Sequence, residues 1–203
     1  TVDIMLIETT VTIIDGLLEK HSSLLKEKEK KDEELKIIYE GIFIFAAMWG
    51  FGGTFLENSE DNQSFKDFNR IWKSQAKIKY PEISTGDNQF MSVFDFYFDI
   101  KTMSWLPYEP VKFEMPDEVN FTKLFVPTLY TTRMWELTSL HVDQKKPIMF
   151  IGNAGTGKTA LLKQFLGTLK NDRYLKNVIN FSSKTTSESL QQNIMGAGLT
   201  KLG

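Results

Sequence analysis

The stretch Gly152-Asn153-Ala154-Gly155-Thr156-Gly157-Lys158-Thr159 constrains this chain more than any other. It has the form G-x-x-x-x-G-K-[ST], a loop whose backbone N–H groups wrap phosphate oxygens. Such a loop sits between a strand and a helix, and both are legible here. Residues 147–151 (PIMFI) are a short apolar run that reads as a buried strand. Residues 159–169 (TALLKQFLGTL) place Leu161, Leu162, Phe165, Leu166 and Leu169 on one helical stripe. Strand, loop and helix follow without a spacer, as an α/β layer begins.

The residue types suit the chemistry. Glycines at 152, 155 and 157 let the backbone curl with its N–H groups inward, including at positions of positive φ. The following helix adds the positive end of its dipole. Lys158 would carry a point charge to the β- and γ-phosphates, and the Thr159 hydroxyl would take one position on Mg²⁺. A glycine-rich turn that binds nothing would explain the glycines but not the Lys158-Thr159 pair. The expected nucleotide contacts are Gly152, Asn153, Ala154, Gly155, Thr156, Gly157, Lys158 and Thr159, with ATP or ADP and Mg²⁺ as ligands.

Composition narrows the partners. The 203 residues allow one or two domains, and 41% hydrophobic content is enough for a core. A net charge of −2 gives no general pull towards nucleic acid or an anionic membrane. There are no cysteines, so disulfides and thiolate metal sites are excluded within this chain, and a reducing cytoplasmic setting fits. Thr1 is followed by Asp3 rather than a basic segment, so no signal peptide is expected. The apolar stretch 42–55 is too short to span a bilayer. Neither nucleic acid nor membrane is expected as a partner. The chain lacks an initiator Met, and no apolar strand ending in Asp or Glu follows Thr159. It therefore reads as a piece of a longer polypeptide, inactive alone, whose Walker B acid lies outside it; no catalytic residue is assigned.

The first third reads as helical. Residues 1–20 carry Ile4, Ile7, Val11, Ile14, Leu17 and Leu18 at helical spacing. Residues 26–36 are a mixed charge run, read as a solvated helix or loop. Residues 37–53 are apolar nearly all round and must be buried if helical, with Gly50, Gly52 and Gly53 ending the helix or permitting close packing. A polar loop is expected over 58–64. A second helix is expected over 65–78, with Phe65, Phe68, Ile71 and Trp72 on one face, then turns over 81–92. Residues 93–99 read as an aromatic-rich strand or turn, and 101–120, with Pro107, Pro110 and Pro116, as an extended connector. Thr128 caps a helix over 129–143 with Met134, Trp135, Leu137 and Leu140 inward. A second strand over 177–181 and a capping box at Thr185–Glu188 opening a helix complete the pattern. Arg133 is expected in a structural ion pair, partly exposed, and His21 and His141 read as helix-end residues rather than metal ligands.

Three segments beyond the loop carry a resemblance. Residues 39–53 (YEGIFIFAAMWGFGG) resemble the FxFAxIWxFGG stretch of dynein heavy chains. Residues 93–99 (VFDFYFD), followed by Trp105, resemble the VFDYYVD…W stretch that comes next in that family. Residues 126–133 (VPTLYTTR) resemble its VPTxxTxR approach to a nucleotide module. Order and spacing agree over roughly residues 39–194, while 21–36 match nothing in the pattern. The resemblance implies an α/β P-loop NTPase of the AAA+ type, beginning its large subdomain, preceded by a mainly helical lid. It implies residues 1–100 as the lid of the second module of the motor ring, 101–120 as connector, and 121–203 as the opening of the third module. It also implies that Val126 and Thr128 belong to the nucleotide site. The parent would be an ATPase that moves on microtubules, this module acting as a regulatory site. Its partners would be neighbouring modules and other dynein heavy, intermediate and light chains. The GxAGTGK form of the loop resembles axonemal, outer-arm chains, which places the parent on the cytoskeleton of the cilium axoneme. Two other readings stay open here: a remodelling AAA+ ATPase, and a module that holds nucleotide as a structural lock.

Overall fold

The computed structural model describes residues 2–26, 31–53, 63–75, 92–109, 111–113, 115 and 124–199. The expectations for 27–30, 58–62, 76–91, Pro110 and 116–123 lie outside the described residues. The chain divides into two compact units, Thr1–Phe150 and Ile151–Gly203.

The first unit is built on helices α1 (Val2–Lys20) and α3 (Asp32–Gly52), with the single turn α2 (Ser22–Leu25) between them. The α1 periodicity holds in its C-terminal half, where Leu17 is buried and Ile14 and Leu18 pack on the core, but not at its start. Ile4, Ile7 and Val11 are exposed, whereas Thr10, Thr12, Ile13 and Leu17 are buried. The reason lies at the crossing with α3. A Cβ on Gly50 would come within 3.0 Å of the Thr10 Cα, so the two backbones meet there. Only small residues fit such a crossing, and the buried Thr10 hydroxyl is satisfied by donating to the Leu6 carbonyl at 2.9 Å.

Helix α3 is long and apolar enough to cross a membrane, longer than the apolar stretch the sequence suggested. It is the core helix of this unit. Ile38, Ile42, Phe45, Met48 and Trp49 are buried in one cluster with Val93, Phe94, Phe96 and Leu140. Its closing glycines act by packing. Gly52 faces the Phe68 and Phe94 rings, and Gly53 has φ −63°, so no left-handed cap ends the helix. Helix α4 (Gln63–Gln75) stacks Phe68 on Phe94, centroids 6.0 Å apart.

Ser92 then opens a 3₁₀ turn (Val93–Asp95) that runs into strand β1 (Phe96–Asp99). This strand pairs antiparallel with β2 (Ser104–Pro107) in the register Phe96↔Pro107 to Asp99↔Ser104. The stretch read as a connector from residue 101 therefore begins as a hairpin. Its turn is closed by Asp99, whose carboxylate accepts from the Thr102 N–H and hydroxyl at 2.9 and 2.7 Å. Burial pushes that carboxyl up, and the Thr102 hydrogen bonds outweigh it and hold it below the usual range. Helix α5 (Leu129–Asp143) completes the unit, with Leu140 in the common core and Met134 and Leu137 packed on it.

The second unit holds α6 (Lys158–Thr168) and α7 (Ser187–Leu199). Leu161 and Phe165, one turn apart, are its buried residues in α6. Helix α7 is capped one residue later than expected: Thr186 and Ser189, not Thr185 and Glu188, exchange backbone and hydroxyl hydrogen bonds at 3.1 and 3.2 Å.

The two expected strands carry no ladder. Among the described residues the sheet consists of β1 and β2 alone. Met149 is 78% exposed and Ile151 85%, and Val178 and Phe181 are exposed as well. Apolar runs of this kind become strands when neighbours on both edges bond their backbones and helices cover both faces. Here no neighbouring strand is present among the described residues, so the segments stay extended and unpaired.

Candidate phosphate-binding site

The loop takes its shape from two glycines. Gly155 and Gly157 have φ of 81° and 83°, in the left-handed region. A side chain there would cost about 1–2 kcal/mol. Gly152 shows no positive φ, so of the three glycines read as backbone pivots only two serve that way. Gly157 is also the N-cap of α6, and its carbonyl accepts the first helical bond, from Leu161 N at 2.9 Å. The N–H groups of the first turn of α6 consequently have no partner within the helix. Those donors, with the helix dipole, make the start of α6 attractive to an anion.

Lys158 is the hub of the loop. Its ammonium donates to the Gly152 carbonyl at 2.8 Å, to the Asn153 carbonyl, and to the Thr156 hydroxyl oxygen at 3.0 Å. All three N–H bonds are thereby used. Thr156 in turn donates its hydroxyl to the Asn153 carbonyl at 3.0 Å. The loop is thus drawn around a single positive charge, and the residues from Gly152 to Gly157 are exposed. Two left-handed glycines, a helix N-terminus and a lysine centred on the loop fit a polyphosphate. Thr159 is exposed at the second position of α6. Among the described residues no group of three or more His, Asp and Glu could hold a metal by itself, so a cation at this loop would lean on phosphate oxygens and water, as Mg²⁺ does.

Val126 and Thr128 belong to the first unit, not to that of the loop. Val126 is exposed in the extended stretch before α5. Thr128 caps α5: its hydroxyl oxygen accepts from Thr131 N–H at 3.2 Å, and the Thr128 N–H donates to the Thr131 hydroxyl oxygen at 2.7 Å. The side chain of Thr128 is therefore committed to the helix.

Arg133 forms the expected ion pair, but in a buried setting. It is only 6% exposed, and its guanidinium lies 3.1 Å from Asp95 Oδ1. The helical pattern hid this, because the carboxylate that receives Arg133 belongs to another element, the Ser92–Asp95 turn. Around it α5 makes further polar ties. Tyr108 donates to Glu136 at 2.7 Å, Lys20 to Glu136 at 3.2 Å, and Gln144 to Glu19 at 2.6 Å. Burial and the Glu136 carboxylate push the Tyr108 hydroxyl well above its ordinary pKa, so it stays a donor. His141 Nδ1 lies 2.8 Å from the Leu137 carbonyl one turn back, so its ring is held on its own helix. None of Asp95, Glu136 and Tyr108 stood out by residue type in the sequence. The signal that could have found Asp95 was its place in one family-like segment while Arg133 sits in another.

Comparison with known proteins agrees with both halves of the chain. The profile of the dynein heavy chain AAA lid domain matches residues 1–110, and that of the P-loop containing dynein motor region matches 113–201. Dynein axonemal heavy chain 11 of Sus scrofa is 32% identical over 190 residues, covering 92% of this chain and 4% of the relative. Dynein axonemal heavy chain 17 of Mus musculus is 32% identical over 184 residues, covering 89% and 4%. The ciliary dynein beta chain of Heliocidaris crassispina is 35% identical over 160 residues, covering 77% and 3%. The chain thus spans about one twenty-fifth of the length of the relatives it matches. With a lid profile over its first half and a P-loop motor profile over its second, the chain belongs to the dynein heavy-chain family.

Proposed function

We propose that this chain is the part of an axonemal dynein motor where the lid of the second AAA+ module passes into the third, and that the loop 152–159 binds ATP or ADP with Mg²⁺. Residues 1–110, which include the whole hairpin, are assigned to the lid, and residues from 113 onwards to the opening of the next module, so the expected connector over 101–120 is shortened at its start. The observation that carries the nucleotide reading is the loop itself: two left-handed glycines turning into α6 with Lys158 at the centre. Lys158 would exchange its loop carbonyls for phosphate oxygens, which are better acceptors because they are charged. The N–H groups at the start of α6 would hold the same anion, and the Thr159 hydroxyl would take one Mg²⁺ position. Thr128 contributes by fixing where α5 starts, and Val126 by its exposed side chain beside it.

The parent chain would couple ATP hydrolysis to movement on microtubules, working with other dynein chains in the ciliary axoneme. This module would act as a regulatory site, its nucleotide state biasing the ring through a coupling free energy. A second reading, a nucleotide held as a permanent structural lock, is separated by experiment. In the full heavy chain, Lys158→Ala should abolish labelling of the loop by a photoreactive ADP. It should also slow microtubule-stimulated ATPase without abolishing it. Unchanged gliding velocity would favour the structural lock, and unchanged labelling would refute the site.

A further inference from the structure

We propose that Thr156 is a positioning residue for Lys158: its hydroxyl holds the ammonium over the loop and thereby sets the loop's preference for a nucleoside triphosphate over a diphosphate. The proposal rests on the nucleotide reading of the loop given above and deepens it.

Thr156 stands between the two left-handed glycines, Gly155 and Gly157, so its backbone is fixed from both sides. Its hydroxyl donates to the Asn153 carbonyl at 3.0 Å. A threonine hydroxyl has one proton and two lone pairs. With the proton committed to Asn153, only lone pairs remain, and one of them accepts from the Lys158 ammonium at 3.0 Å. Lys158 donates to the same Asn153 carbonyl, which closes a ring of hydrogen bonds through Asn153, Thr156 and Lys158. The ring lies over Gly152, where a Cβ would be 3.6 Å from both Lys158 Nζ and Thr156 Oγ1.

The two bonds of the hydroxyl do different things. A bond from a Ser or Thr hydroxyl to a carbonyl three residues back shapes a turn and needs no lysine. The bond from Lys158 adds little to the course of the backbone, because the Gly152 and Asn153 carbonyls already tie that side chain across the loop. It adds direction instead. Lysine is a point charge on a flexible four-carbon stem with three rotatable donors. An acceptor that cannot turn its own proton towards the ammonium fixes one N–H, and with it the bearing of the other two. Those two face the loop carbonyls, the acceptors that phosphate oxygens would replace. Thr156 is the acceptor that stays, so the charge is placed in advance. Lys158 is assigned to the β- and γ-phosphates, so a triphosphate has two lysine contacts to lose and a diphosphate one. The backbone N–H groups serve both alike.

The test uses the full heavy chain with Mg²⁺. The first readout is half-saturation for labelling the peptide that contains residues 152–159, by azido-ADP and by the azido form of a non-hydrolysable ATP analogue. Thr156→Val keeps the shape and removes the hydroxyl. It should raise half-saturation about 10-fold for the triphosphate and about 3-fold for the diphosphate, as loss of a bond to a charged group requires. Thr156→Ser keeps the hydroxyl and should restore parental values for both. The second readout needs no nucleotide: acetylation of Lys158 by a small active ester, relative to the exposed Lys163 of the same helix. Thr156→Val should speed it about 3-fold and Thr156→Ser should not, because only the first releases a donor of the ammonium. Thr156→Ala repeats both measurements if the valine protein does not fold. Equal losses for the two nucleotides would assign the hydroxyl to loop shape and overturn the proposal. So would tighter binding by the valine variant, a serine variant as weak as valine, or unchanged acetylation of Lys158. Lys158→Ala separates the two readings. If labelling survives that change, the site reading fails and the role of Thr156 falls with it. If Lys158→Ala abolishes labelling while Thr156→Val labels as the parent does, the positioning role alone fails.

Discussion

Gly50→Ala should destabilise the first unit although alanine is the better helix former. In an exposed helix the change gains about 1 kcal/mol. At Gly50 the new Cβ would lie 2.0 Å from Thr10 Oγ1 and 3.0 Å from the Thr10 Cα. The hydroxyl can rotate away, but it then gives up its bond to Leu6, at a cost of about 1 kcal/mol. The Cα cannot rotate, so α1 and α3 must part, and overpacking of this kind costs about 1–3 kcal/mol. The net loss is about 1–3 kcal/mol. For a unit of this size that lowers the melting temperature by roughly 2–12 °C. All four tryptophans, Trp49, Trp72, Trp105 and Trp135, lie in Thr1–Phe150, so their fluorescence follows this unit through thermal unfolding. Gly167→Ala is the matched control. Nothing lies within 4 Å of its Cβ position in α6, so it should gain about 1 kcal/mol of helix stability, read by far-UV circular dichroism. A Gly50→Ala protein that melts at or above the parent would refute the close-crossing argument.

Thr159→Ala should weaken Mg·ATP binding at the loop while leaving Mg-free ADP binding closer to parental than Lys158→Ala does; equal losses in separate titrations would mean the hydroxyl supports the loop fold instead. Thr128→Ala removes the cap of α5 and should cost about 1 kcal/mol, seen as a lower urea midpoint by tryptophan fluorescence. His21 is held below its usual 6.5 by burial and the neighbouring Lys20 ammonium, against the opposing pull of Glu136 and Asp99. The unfolded chain therefore takes up the proton first. Its contribution is present above pH 6.5 and is lost as the pH falls from there through the folded value. His21→Gln should flatten the fall in urea midpoint between about pH 7.5 and about pH 5, and an unchanged slope would exclude His21 as its source.

Local signals in the sequence were reliable where one element carries them whole. The N-cap Thr128 and the span of α5 follow from capping chemistry and periodicity within that helix. The loop follows from glycine geometry and Lys158. Signals that depend on a second element were not legible. The period of α1 locates the helix and the buried Leu17, but not the contact at Thr10, which a glycine on α3 decides. Arg133 reads as an ion-paired residue, but its partner and its burial depend on the Ser92–Asp95 corner that receives it. Residues 147–151 and 177–181 have the composition of strands, but a ladder is a property of pairs, and no partner is present among the described residues. The first strand of the hairpin is legible in the aromatic run 93–99, but the second is not, because Pro107 suggests a connector while occupying the last place of an edge strand, where its missing N–H is tolerated.

The seating of α5 on α1 has a consequence for how the chain is made. Lys20 and Glu136 are 116 residues apart, and Gln144 is 125 residues from Glu19. A ribosome adding 5–20 residues each second takes roughly 6–23 s to cover the first interval. For that time Gly16, Leu17 and the rest of that face of α1 are finished but uncovered. A ribosome stalled shortly before Arg133 should accordingly hold a nascent chain in which α1 and α3 have met but the wall formed by Leu140 has not been made.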